Sequence, residues 1–96
     1  MTMSDNKINH IAVLLKSIGH PIRIKIIRLL SHHSYMSVND ISIALSVEQP
    51  VMSLHLAVLR KINVIKAEKR GKNAFYSLVN VNIKQIVSIA YYTNLD

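Results

Sequence analysis

Apolar residues recur along this chain at helical spacing, then at alternating spacing, then again at helical spacing. After a polar lead-in over residues 1–6, Ile8, Ile11, Ala12, Leu15 and Ile18 fall on one face of a helix that stops at Gly19. Pro21 stands where a second helix can begin without losing a hydrogen bond. Ile22, Ile26, Leu29 and Leu30 form its stripe, with Arg23, Lys25 and Arg28 interleaved, up to a polar run at residues 31–34. Ser37, with Asp40 three positions later, predicts a capped third helix carrying Val38, Ile41, Ala44 and Leu45. Residues 46–49 supply a turn, and Pro50 lies in the first turn of a fourth helix, to residue 62, whose apolar face is Met52, Leu56, Leu59 and Ile62.

Over residues 64–79 the period changes to two. Ile65 and Ala67, then Ala74, Tyr76 and Leu78, alternate on either side of Arg70, Gly71 and Lys72, which predicts a hairpin. Ile83, Ile86, Val87 and Ala90 return to helical spacing and end near Tyr91 and Tyr92. The expected fold is mainly α with a β-hairpin, a single domain over residues 1–96. Two short helices across a tight turn, followed by a basic hairpin, predict a winged helix-turn-helix of about five helices and a two-stranded wing.

Composition adds a partner surface to this picture. Half of the 96 residues are apolar and the mean hydropathy is +0.25, more than a monomer this small can hide, since monomers rarely expose large apolar patches. The first and last helices carry the surplus. They are expected to pair across a two-fold axis in a homodimer, with Ile8, Ile11, Leu15, Ile83, Ile86, Val87 and Ala90 partly between subunits.

Charge points to a polyanion. Twelve Lys and Arg against five Asp and Glu leave a formal charge of +7, a balance that suits nucleic-acid binding, although a basic surface kept for solubility has the same composition. Position is more informative: Lys66, Lys69, Arg70 and Lys72 surround the hairpin turn with only Glu68 opposing them, which suits a phosphate track or a minor groove. The absence of cysteine excludes disulfides, thiolate metal sites and thiol switches, and makes the cytoplasm the expected compartment. No apolar run approaches the roughly 18 to 20 residues that span a bilayer, and no signal sequence is evident, so neither export nor membrane insertion is expected.

Leu29 and Leu30, then Ile41, Ala44 and Leu45, then Gln49, Pro50, Val51, Met52, Ser53, His55, Leu56 and Leu59 resemble the ArsR/SmtB repressor family. The likeness runs from about residue 11 to residue 90, including the wing residues Lys69, Arg70, Gly71, Lys72, Tyr76, Ser77 and Leu78. Ser53, His55 and Leu56 match the family's serine, any residue, histidine, leucine signature, with Leu54 in place of the more usual polar or basic residue. The resemblance implies a homodimeric repressor of double-stranded DNA with a palindromic operator. The fourth helix would lie in the major groove.

With Met52, Leu56 and Leu59 turned to the core, Gln49, Pro50, Val51, Ser53, Leu54, Ala57 and Arg60 are left for solvent or groove. Gln49 suits an adenine edge, Ser53 a phosphate or base, and Val51 or Leu54 a thymine methyl. His55 is expected in a supporting role within the DNA-binding set, its neutral ring still able to hydrogen-bond phosphate, and Lys69, Arg70 and Lys72 on the DNA backbone.

The family's two metal sites have no counterpart here. By the resemblance, Ser37 and Asn39 stand at the thiolate positions, and Asn80, Asn82, Thr93 and Asp96 at those of the final helix, where Asp96 alone is a strong ligand. His10, His20, His32 and His33 do not pair at the i, i+4 spacing that joins two imidazoles on one helix face. No metal, cofactor or named effector is therefore expected. Catalysis is not expected either, because the acids are scattered, no glycine-rich phosphate loop exists, and Ser53 and His55 lie on different helix faces. Two alternatives remain at this point: a winged-helix scaffold that binds a protein through Val51, Leu54 and Ala57, and a metal-responsive repressor using unusual histidine ligands.

Overall fold

The computed structural model describes residues 4–93. Its elements are α1 (Asp5–Ile18), α2 (Pro21–His32), β1 (Met36–Ser37), α3 (Val38–Leu45), α4 (Gln49–Lys61), β2 (Ile65–Arg70), β3 (Asn73–Leu78) and α5 (Val81–Tyr92). Four helices start at side-chain caps that satisfy otherwise orphaned amides. Ser4 accepts from the Lys7 amide, the His20 ring from Ile22, and the Asn80 carboxamide from Asn82. At α3, Ser37 Oγ accepts from the Asp40 amide at 3.1 Å while an Asp40 carboxylate oxygen accepts from the Ser37 amide at 3.3 Å, so the predicted capping pair closes on both sides.

The α3 helix ends at Ser46, which adopts a left-handed φ of 55°, and the chain re-enters a helix at Gln49 after turning 112°. That angle is what a helix-turn-helix requires. Met52, Leu56 and Leu59 are buried, as their spacing predicts, and lock α4 onto a core built from Ile26, Ile27, Ile41, Val64 and Ile65. Burying this one face fixes which residues α4 presents outward.

The β2 and β3 strands pair antiparallel from Ile65 opposite Leu78 to Arg70 opposite Asn73. Gly71 takes φ +63° in the two-residue turn, and a Cβ at this position would meet nothing within 4 Å, so backbone conformation rather than space favours glycine there. The expected two-stranded wing is part of a three-stranded sheet in the order β1-β3-β2, because Met36 and Ser37 pair with Tyr76 and Phe75. Two residues are too few to display an alternating pattern, so this strand has no signature in the sequence. Its effect is to tie the start of α3 to the wing.

The α5 helix departs from expectation on one face. Ile83 and Val87, expected between subunits, are 7% and 5% exposed and belong to the chain's own core. The helix has two apolar faces: residues 83 and 87, one turn apart, pack inward, while Ile86, Ile89 and Ala90 face solvent. Ile8, Ile11, Val13 and Leu15 on α1 are likewise exposed, as are Tyr91 and Tyr92. Among the described residues no single helix is long and apolar enough to cross a membrane.

Candidate nucleic-acid interface

The outward face of α4 carries Gln49, Pro50, Val51, Ser53, Leu54, Ala57 and Arg60, all of them exposed, and Leu54 is 71% exposed. Gln49 is not free to swing. Its Nε2 donates to Asn39 Oδ1 at 2.8 Å, across the start of α3. One Nε2 hydrogen is thereby occupied, and the second, with Oε1, is left for a donor–acceptor pair such as an adenine edge presents. Sequence reasoning does not find Asn39 as a site residue. Two residues ten apart, on different helices, give no spacing signal.

Gln49 and Asn39 lie in a polar cleft of about 600 Å³ that Ser37, Asp40, Lys72 and Asn73 also line. The wing therefore stands beside the start of α4, held there in part by β1.

His55 turns away from this face. Its Nδ1 accepts from Arg23 Nε at 3.2 Å, Arg23 also donates to the Ser17 carbonyl at 2.8 Å, and the His20 ring lies 4.5 Å from that of His55. Burial first, then the charges of His20 and Arg23, hold the His55 pKa below its ordinary 6.5. A neutral ring is what the Arg23 hydrogen bond needs, because only an unprotonated Nδ1 accepts. His55 consequently fixes α4 against α2 through Nδ1, and among the described residues its ring makes no hydrogen bond with Ser53.

The wing cations are unequal. Lys66, Lys69, Arg70 and Lys72 are all exposed, but Arg70 donates to Glu68 at 3.4 Å and stands 4.7 Å from the Tyr35 ring centroid. Among the described residues this is the one ion pair, so Lys69 and Lys72 have no acidic partner there.

The positions of the family's metal sites serve other ends. Ser37 and Asn80 cap α3 and α5, and the Thr93 hydroxyl donates to the Ile89 carbonyl. Asp96 lies outside the described residues. Among the described residues no three His, Asp or Glu side chains approach closely enough to hold a metal ion together.

A helix-turn-helix whose second helix projects an unburied face beside a cationic hairpin defines a winged-helix DNA-binding protein. Residues 20–67 match the family described as bacterial regulatory protein, arsR family. The chain is 36% identical over 78 residues to the uncharacterized HTH-type transcriptional regulator MJ1325 of Methanocaldococcus jannaschii, covering 81% of this chain and 88% of that protein. It is 31% identical over 90 residues to the transcriptional repressor PagR of Bacillus anthracis, covering 88% of this chain and 90% of PagR. The PagR crystal structure superposes with a TM-score of 0.81 at 30% identity, over 91% of this chain and 99% of that one. A winged helix-turn-helix domain of Mb0332 from Mycobacterium bovis, described as homodimeric, superposes with a TM-score of 0.80 over 95% of this chain and 86% of that one. At 19% identity that likeness shows the fold alone. The protein belongs to the arsR family of bacterial regulators, and is a DNA-binding transcriptional regulator rather than an enzyme.

Proposed function

We propose that this protein is a cytoplasmic, homodimeric repressor that binds a palindromic operator, with α4 in the major groove and the wing along the flanking backbone. The observation that carries this reading is the outward row of α4, with Gln49 fixed by Asn39, set beside the exposed Lys69 and Lys72 of the wing. Gln49 and Ser53 contact base edges or phosphate, Val51, Leu54 and Ala57 meet thymine methyls or sugars, and Arg60, Lys69, Arg70 and Lys72 contact phosphate. His55 supports α4 from behind.

Dimerisation is supported by the exposed apolar rows of α1 (Ile8, Ile11, Leu15) and α5 (Ile86, Ala90), joined by Val13 and Ile89. The repressor role of PagR agrees with this reading. Two-fold symmetry places two α4 helices in successive major grooves about 34 Å apart. A dimer so bound at a promoter blocks access by polymerase.

The test is fluorescence anisotropy with a duplex from the protein's own upstream region, alongside light scattering for mass. Twice the chain mass is expected, together with an affinity that falls on the order of a thousandfold or more between 50 and 200 mM salt, as about six to ten phosphate contacts imply. Tight binding indifferent to salt, or none in dilute buffer, overturns the reading. The second of these results would instead favour a protein-binding use of the Leu54 surface.

A further inference from the structure

A second hollow shares no residue with the proposed DNA surface. It lies between α2, the end of α3 and the end of α5, and its volume of about 600 Å³ falls within the range of small-molecule sites. Ile24, Leu29 and Leu45 give it an apolar floor, and the Tyr91 ring forms one wall. Lys25 and Arg28 make its rim cationic, His32 and His33 also line it, and no acidic residue does. The Arg28 guanidinium carbon sits 3.6 Å from the Tyr91 ring centroid, and among the described residues its N–H groups donate no hydrogen bond. The ring therefore steadies the guanidinium by stacking while its donors remain open to an acceptor.

An apolar floor could be covered by a second copy or by a small molecule, and charge decides between them. A second copy would need an acidic face to meet Lys25 and Arg28, and the chain has five Asp and Glu against twelve Lys and Arg. The exposed apolar rows that suit a second copy lie elsewhere, on α1 and on the Ile86 and Ile89 face of α5. A nucleic-acid duplex would match the rim but not the floor, because the part of it that meets a cationic rim is its phosphate backbone, which has no extended hydrocarbon to cover Ile24, Leu29 and Leu45.

We propose that this groove binds an organic anion with an apolar body, its carboxylate or sulfonate on Arg28 and Lys25 and its hydrocarbon on Ile24, Leu29 and Leu45. The chain has no cysteine for thiol sensing, so an effector recognised by charge and shape acts without covalent chemistry. The position suits regulation: Leu45 is the last residue of α3, just before the turn into α4, and Tyr91 belongs to the proposed dimer helix. A bound anion bridges the two, and shifts operator affinity to the extent that it prefers one arrangement of them. This consequence rests on the DNA-binding reading, whereas occupancy of the groove does not.

The test titrates the full chain, without DNA, with anilinonaphthalene sulfonate as a fluorescent probe, then displaces the probe with decanoate or with decan-1-ol. One saturable probe site per chain is expected, with decanoate displacing the probe about tenfold more effectively than the alcohol, since the charge-assisted contacts distinguish them. Lys25→Gln and Arg28→Gln should each weaken decanoate about fivefold and leave decan-1-ol unchanged. Lys25 is exposed, so its variant folds and remains informative even where Arg28→Gln does not. Equal displacement by acid and alcohol, no saturable site, or decanoate binding that ignores Lys25→Gln overturns the proposal. Probe binding seen only at dilutions where the dimer dissociates overturns it too, and assigns the groove to a second copy. Operator binding, measured separately with and without decanoate, can fail while the groove still fills, which keeps the two readings distinguishable.

Discussion

Replacing each wing cation in turn exposes a difference that charge counting does not anticipate. Lys72 has no acidic partner among the described residues, whereas Arg70 is engaged by Glu68 at 3.4 Å and by the Tyr35 ring at 4.7 Å. The Arg70 and Glu68 side chains are 56% and 53% exposed, so their ion pair is screened and contributes at most about 1 kcal/mol. The ring contact adds about 0.5 to 1 kcal/mol. Together, at about 0.5 to 2 kcal/mol, they compete with phosphate for the same guanidinium.

In a dimer, Lys72→Gln removes two phosphate contacts. The slope of log affinity against log salt should then fall by about 1.8, equivalent to about a twelvefold smaller loss of affinity between 50 and 200 mM salt. Arg70→Gln should change the slope by less than half as much, and Glu68→Gln, which releases Arg70, should steepen it. Anisotropy titrations over a salt series measure all three. A slope change for Arg70→Gln equal to or larger than that for Lys72→Gln refutes the argument that Glu68 and Tyr35 hold Arg70 back.

Asn39→Ala should cost several-fold in discrimination between the operator and a duplex altered at the Gln49 base pair, with non-specific affinity unchanged, as competition anisotropy would show; in a Gln49→Ala background the same substitution should cost nothing more. Leu59, 0% exposed, sits where truncation to Ala costs about 2 to 5 kcal/mol, so calorimetry should show the melting midpoint falling by at least about 8 °C. An unchanged midpoint would contradict the packing of α4. His55 carries a pH dependence whose sign follows from its pKa, depressed below 6.5 in the folded chain. The unfolded chain takes up the proton first, so the stability this ring contributes is complete above pH 6.5 and is lost as pH falls below it toward the folded value. His55→Gln keeps an acceptor for Arg23 but does not titrate, so its melting midpoint should fall less than the wild type's between about pH 7 and pH 5, and parallel curves would contradict the assignment.

Most of the architecture is legible in the sequence because burial imposes a period. The i, i+4, i+7 spacing of Met52, Leu56 and Leu59 reveals the inner face of α4, and with it the outer one, and the Ser37–Asp40 pair marks the start of α3 through a local capping bond. The Gly71 turn likewise identifies the hairpin. What is not legible depends on contacts between distant elements. The two-residue β1 is defined only by its partner β3, and the Asn39–Gln49 bond joins two helices across the turn. Arg70 looks like any other wing cation until Tyr35, thirty-five positions earlier, is placed beside it. The α5 helix shows the remaining ambiguity: Ile83, Ile86, Val87 and Ala90 read as one stripe, yet the fold divides them between its own core and the surface left for a partner.

Hydroxyl-radical footprinting of the protein on its upstream DNA is the most direct experiment. Two symmetric protected patches centred about one helical turn apart, at a protein mass of two chains, are the predicted result. A single unsymmetrical patch, or unprotected DNA with a monomeric protein in dilute buffer, would contradict the picture of α4 and the wing presented twice.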